Sequence, residues 1–155
     1  MLDIPSISAV VAAVGVIVGV TLAYLEVRTL VKQRQTDLVA RLYSTMGSRE
    51  FLEAWDRFMK GEIKDLDDFD RKYSVEINEI GIFFEGVGVL LHRKLIDIGL
   101  VDDLFSSPIK MTWEKMNPLV KATRKKLNLP QMGEYFEYLY NEMQKREQSL
   151  QQTQQ

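Results

Sequence analysis

The sequence predicts an all-α protein in which a single N-terminal transmembrane helix continues into a stalk and is followed by a small bundle of about five helices. A long run without charged residues opens the chain, from Ile7 to Leu25. Beyond it, apolar residues recur at spacings of three and four, which is the period of an amphipathic helix. No segment alternates between apolar and polar residues for long enough to indicate a strand.

The N-terminal run, Ile7 to Leu25, has the length and composition of a transmembrane helix. Its nineteen residues would span about 28 Å at roughly 1.5 Å per residue, close to the ~30 Å hydrocarbon core of a bilayer. A cleaved signal peptide is the alternative, but such peptides carry a basic first region and a shorter apolar core, whereas this chain begins Met-Leu-Asp-Ile-Pro. We therefore expect residues 7–27 to cross the cell membrane once.

Basic residues on one side of the span predict its orientation. Arg28, Lys32 and Arg34 follow the apolar run, while only the terminal amine precedes it. Because basic residues are retained on the cytoplasmic side, these three are the residues that determine topology. We expect residues 1–6 outside the cell and the rest of the chain beyond the span in the cytoplasm.

The segment after the membrane is predicted to be a stalk over residues 28–47. No glycine or proline lies between Val20 and Met46, so one helix can run from the bilayer through the polar stretch KQRQTD. Leu38 and Leu42 recur with Met46 at helical spacing and give the stalk an apolar stripe. This stripe is expected to dock on a cytoplasmic helical domain over residues 48–146.

The first helix of that domain is delimited by cap residues. Ser48, after the break at Gly47, is a predicted N-cap, and Gly61 ends the helix. The acidic stretch that follows, up to Tyr73, predicts a solvated loop or one exposed turn. It does not fit a calcium-binding EF-hand loop, because Lys72 and Tyr73 stand where an oxygen ligand and a glycine are needed.

A helix after Ser74 is predicted to be the centre of the domain. It is apolar on two sides, which indicates burial against neighbours on both. Its three glycines, Gly81, Gly86 and Gly88, would let neighbouring helices approach closely or would mark a kink. The remaining predicted segments are a short helix capped by Asp97 that stops before Ser106, a helix from Thr112 that is interrupted at Pro118, a last helix from Pro130 to about Arg146, and a disordered Gln-rich tail over residues 147–155.

The residue types that carry most catalytic and metal chemistry are scarce. The chain has no cysteine and one histidine, which excludes disulfides, thiolate metal sites and two-histidine zinc or paired Glu-x-x-His di-iron sites within one chain. Glu85 lies one heptad before His92 and could form an acid–base pair with it, but the basic end of the helix favours a surface histidine. We predict no catalytic residue, cofactor or metal, and therefore no enzyme.

Charge and small-residue spacing bear on the partners. With 20 basic and 22 acidic side chains there is no electrostatic argument for nucleic acid as a partner. Gly15, Gly19 and Ala23 are spaced four apart in the membrane run, a pattern that allows two membrane helices to pack backbone to backbone. Such spacing also occurs by chance in apolar spans. If the contact is real, its partner is a second copy or another subunit.

The later part of the chain resembles a known family. The residues that carry the resemblance are FFEGVGVLLHRKLIDIGLVDDLF from Phe83, the pair Trp113-Glu114, Pro118, Arg124, and FEYLYNEM from Phe136. They resemble a domain-of-unknown-function family of small archaeal and bacterial proteins, over most of the chain from about Gln35. The resemblance implies one N-terminal membrane helix before an all-helical cytoplasmic domain, and it transfers no functional residue.

Taken together, these patterns predict a non-catalytic, single-pass membrane protein. Its expected role is that of an accessory subunit or scaffold of a membrane complex, with the bilayer and a protein partner contacting the membrane helix. The alternative is a membrane-tethered signalling or sensor module that transmits a change through the stalk.

Overall fold

A computed structural model describes residues 4–62 and 66–153 of the chain. These residues form helices only: α1 (Ile4–Met46), α2 (Arg49–Lys60), α3 (Leu66–His92), α4 (Ile98–Leu127) and α5 (Glu134–Thr153). The predicted all-α class and its long apolar N-terminal helix are confirmed. The chain divides into two compact units, Met1–Asp37 and Leu38–Gln155, so that α1 contributes to both.

The described part of the first unit is α1 from Ile4 to Asp37. From Val11 to Val31 its apolar side chains are exposed, and none of the apolar window is buried. The hydroxyl of Thr21 donates to the carbonyl oxygen of Ile17 at 2.8 Å, which satisfies this polar group inside the helix. The helix is long and apolar enough to cross a membrane.

The second unit is built around α3. Ile80, Phe84 and Val87 on this helix are fully buried, between side chains contributed by α2, α4 and α5. The rings of Phe84 and Phe136 stack at a centroid distance of 4.8 Å, and this contact joins α3 to α5. The predicted position of this helix at the centre of the domain is therefore confirmed.

Three predicted helix boundaries have the expected chemistry. The hydroxyl oxygen of Ser48 accepts a hydrogen bond from the backbone N–H of Phe51 at 3.2 Å, and the chain leaves α2 at Gly61. The carboxylate of Asp97 accepts from the N–H of Gly99 at 2.8 Å and begins α4. These short polar side chains satisfy N–H groups that have no partner inside the helix.

Helix α4 differs from the prediction of two separate helices. It is continuous from Ile98 to Leu127, with Pro108 and Pro118 inside it, and Thr112 is a buried residue within it rather than its start. An interior proline costs about 3 kcal/mol. The helix nevertheless buries one large apolar side chain on almost every turn, each contributing roughly 1.5–3 kcal/mol. The residues of this inner face are Val101, Phe105, Ile109, Trp113 and Met116.

Two further boundaries differ from the prediction. Helix α3 begins at Leu66, so the predicted loop is helical from that residue on and Ser74 is not its N-cap. Helix α5 begins at Glu134 and continues to Thr153, so the segment from Glu147 that was predicted to be disordered is helical up to that point.

Candidate functional site

The predicted contact strip on α1 is open. Gly15, Gly19 and Ala23 are all exposed on α1. A Cβ atom added at either glycine would meet nothing within 4 Å. The strip is therefore free of contacts within this chain, and a second helix could approach the backbone there. Arg28, Lys32 and Arg34 are likewise exposed on the following turns of α1.

The second unit contains an apolar groove of about 500 Å³, which we call the α3–α4 groove. Side chains of α3 and α4 line it together with the connection between α4 and α5. Ile82 at its edge is 72% exposed and Met132 is 40% exposed, which is unusual for large apolar side chains. The lining residues used below are Gly81, Ile82, Glu85, Gly86, Met116 and Met132.

The glycines of α3 explain why the groove is open. A Cβ atom at Gly86 would meet nothing within 4 Å, and one at Gly81 would lie 3.5 Å from the terminal methyl of Met116. At Gly88 the situation is reversed, because a Cβ atom there would lie 2.0 Å from the carbonyl oxygen of Tyr135. The predicted close approach of a neighbouring helix is thus made at Gly88, whereas Gly86 faces open space.

Glu85 holds the start of α5. Its two carboxylate oxygens accept hydrogen bonds from the backbone N–H groups of Tyr135 and Phe136, at 3.2 and 2.8 Å. A negative charge at this position also interacts favourably with the positive end of the helix dipole. Glu85 therefore caps α5 from another helix. No local motif in the sequence indicates this role, because the capped residues lie about fifty positions further along the chain.

The possible acid–base pair of Glu85 and His92 is not formed. His92 is an exposed residue at the end of α3, and its ring contacts the rings of Tyr135 and Tyr138 edge to face at 5.3 and 5.2 Å. The carboxylate of Glu85 is occupied by the N–H groups of α5. The interpretation of His92 as a surface histidine is the one that the structure supports.

Lys115 binds the C-terminal end of α2. Its ammonium group donates hydrogen bonds to the carbonyl oxygens of Met59 and Gly61, both at 2.7 Å, and lies 5.3 Å from the centroid of the Phe58 ring. Burial lowers the pKa of Lys115 from its ordinary value, because desolvation disfavours the charged form. Like Glu85, this lysine satisfies the free backbone groups of a helix end from a distant part of the chain.

Among the residues that the structure describes, no group of three or more histidines or acidic residues lies close enough to hold a metal ion. Exposed large apolar side chains are instead found along α1 and at the α3–α4 groove. These two surfaces can bind apolar partners, and neither brings together reactive groups.

Comparison with known proteins identifies a family but no individual relative. No curated protein and no solved structure matches the chain significantly. A family model described as a domain of unknown function, DUF4760, matches residues 9–143, which include most of the apolar helix and most of the helical domain. The chain therefore belongs to the DUF4760 family.

Proposed function

We propose that this protein is a single-pass membrane protein whose helical domain serves as an accessory subunit or scaffold in a membrane complex. The observation that carries the proposal is the exposure of the apolar segment of α1 from Val11 on. In water, each large apolar side chain left exposed forgoes roughly 1.5–3 kcal/mol of burial. A bilayer removes this cost. Lipid offers no hydrogen-bond partners to the backbone, and a helix needs none because it pairs its N–H and C=O groups internally.

A buried core helix and a secretory signal can also be apolar helices near an N-terminus, and both are less well supported for α1. The core helix of a soluble domain is buried, whereas the apolar segment of α1 is not. A secretory signal would be removed and would not belong to the mature domain. The family model begins at residue 9 and so includes nearly all of the apolar segment. Arg28, Lys32 and Arg34 favour a cytoplasmic position for the domain.

The absence of cysteine makes a direct test of topology simple. Single cysteines introduced as Ser6→Cys and as Ser107→Cys, an exposed position in α4, would be treated with a membrane-impermeant maleimide on intact cells. We expect labelling of Ser6→Cys only, and labelling of Ser107→Cys after permeabilisation. Release of the protein by alkaline carbonate would contradict anchoring, and the reverse labelling pattern would contradict the orientation.

A contact through the membrane helix can be tested by introducing large side chains into the small-residue strip. We expect Gly15→Leu and Gly19→Leu to abolish cross-linking to a second copy or to another subunit in native membranes. Ala13→Leu is the control, because at 100° per residue it places a leucine about 140° around α1 from the midpoint of the two glycines. A chain that is strictly monomeric, or equal loss with the control, would refute the contact.

A signalling role is the second candidate, and the continuity of α1 favours it. The helix has no break between the apolar segment and Met46, and Val39 near its end is buried in the core of the second unit. A disulfide formed at Ser6→Cys between two copies should then change amide exchange around Val39. Glycines at Gln35 and Thr36 should abolish that change, whereas alanines at the same positions should preserve it. An unchanged exchange pattern would refute this role.

A further inference from the structure

We propose that one side of α3 is an interface between two copies of this chain, which pair with their α3 helices antiparallel. The stripe of residues that makes the contact is called the open face of α3. It consists of Val75, Glu79, Ile82, Gly86, Val89 and, directly after the helix, Arg93. All of them belong to the second unit, and the contact does not depend on the proposed membrane anchoring.

The open face of α3 is a single line along the helix. At 100° per residue, the directions of its residues fall within about 80° of one another. Arg93 keeps this register, because its backbone N–H donates to the carbonyl oxygen of Val89 at 2.9 Å. Val75 is 73% exposed and Ile82 is 72% exposed, and a Cβ atom at Gly86 would meet nothing within 4 Å. The described parts of the second unit therefore leave this side of α3 largely uncovered.

Apolar residues recur on the open face every seven residues. Val75, Ile82 and Val89 have this spacing, which is that of residues facing a second helix in a coiled coil. Ile82 and Val89 also line the α3–α4 groove, so a helix laid along the open face covers the edge of the groove as well. Removal of these side chains from water drives the association, and a helix is the partner that their spacing fits.

The charges of the open face identify that helix as α3 of a second copy. Glu79 lies seven residues before Gly86, and Arg93 lies seven residues after it. Both charged side chains are exposed, and neither forms an ion pair among the residues that the structure describes. When two α3 helices cross antiparallel at Gly86, each Glu79 lies opposite Arg93 of the other copy. A parallel pair would instead place like charges opposite each other.

Gly86 suits the two-fold axis of such a pair. It has no side chain, so the two backbones can approach closely where the helices cross. The carboxylate of Glu85 beside it is already engaged by the first N–H groups of α5. At the basic end of the open face, Lys94 adds a second positive charge, and the carboxylate of Asp97 is used to cap α4. The charge pattern of the open face is thus acidic near its start and basic at its end.

Disulfide trapping tests the pairing and its direction, because the chain has no cysteine of its own. The full chain is used in detergent with micelles in excess, and it carries Gly15→Leu and Gly19→Leu so that α1 does not pair the copies. Gly86→Cys should form a disulfide-linked dimer on mild oxidation. Val75→Cys is the matched control on the same face, because the antiparallel pair separates the two copies of position 75 by about 33 Å along the helix. A Gly86→Cys chain that stays monomeric, or equal cross-linking of both variants, would overturn the proposal.

Charge reversal tests the same pair without a cross-link, through the Kd of the dimer measured by sedimentation velocity. Glu79→Arg should raise the Kd roughly two- to thirtyfold, because it sets like charges opposite each other at two places in the dimer. Adding Arg93→Glu should restore the original Kd. Glu50→Arg makes the same charge change at an exposed position of α2 and should leave the Kd unchanged. A double variant that dimerises as weakly as Glu79→Arg alone would contradict the antiparallel pairing.

Discussion

Gly86 and Gly88, two residues apart in α3, should respond to the same substitution in opposite ways. At Gly86 an added methyl group meets open space, so Gly86→Ala should increase the free energy of unfolding by about 1 kcal/mol through helix propensity alone. At Gly88 the same gain is opposed by a Cβ atom placed 2.0 Å from the carbonyl oxygen of Tyr135. Relief of that overlap requires the start of α5 to move by at least about 1 Å.

That movement would break the cap of α5. The hydrogen bonds from Tyr135 and Phe136 to Glu85 have lengths of 3.2 and 2.8 Å, and a charge-assisted bond of this kind contributes about 1.5–3 kcal/mol. Overpacking costs a further 1–3 kcal/mol or so. We therefore expect Gly88→Ala to lower the free energy of unfolding by about 2–5 kcal/mol in spite of its better helix propensity.

The assay is urea denaturation of the detergent-solubilised chain, followed by fluorescence of the two tryptophans. The buried Trp113 contacts the ring of Phe136 at 4.9 Å and so reports directly on the packing of α5. The pair of variants controls for helix propensity, since both exchange glycine for alanine in one helix. A Gly88→Ala protein as stable as the Gly86→Ala protein would refute the close approach of α3 and α5.

The other predictions concern single side chains at helix ends. Glu85→Gln should lower the free energy of unfolding by about 1–2 kcal/mol in the same denaturation assay, because it removes the charge that caps α5; an unchanged value would deny that role. Lys94 has φ 58° in the turn after α3, so Lys94→Gly should raise stability by about 1 kcal/mol, whereas Arg93→Gly should not. Because burial lowers the pKa of Lys115 in the folded state, the unfolded chain binds more protons than the folded chain at pH values just below the ordinary pKa of 10.5. Stability should therefore rise with pH in that window, and a calorimetric comparison with Lys115→Met should show that this variant lacks the rise.

Local signals were enough to predict several parts of this fold. The cap residues Ser48 and Asp97 act within three residues of their own position, so their role is visible in the sequence. The apolar pattern of α3 indicated burial on two sides. Phe84 and Val87 confirm one of them, whereas Ile82 on the second side is 72% exposed. The long apolar segment of α1 was equally evident, since length and composition define it.

Helix α4 shows where local signals mislead. Pro118 is ordinarily a reason to end a helix, and its cost is local and predictable. The compensating burial of residues such as Phe105 and Trp113 depends on the positions of α1, α3 and α5, which no local pattern contains. The buried Thr112 is a second case, because a threonine at a predicted helix start proves to be the acceptor for Trp55 of another helix.

The candidate site depends even more on distant parts of the chain. Glu85 caps a helix about fifty residues away, and Lys115 reaches a carbonyl group 54 positions before it. Gly86 and Gly88 are identical in chemistry and nearly adjacent in sequence, but one opens the α3–α4 groove and the other admits α5. Their different roles follow from the 100° step between successive helical residues, which turns one glycine towards a neighbouring helix and the other away. Only the packing around α3 decides which glycine faces the neighbouring helix, and the stabilities of Gly86→Ala and Gly88→Ala measure that packing directly.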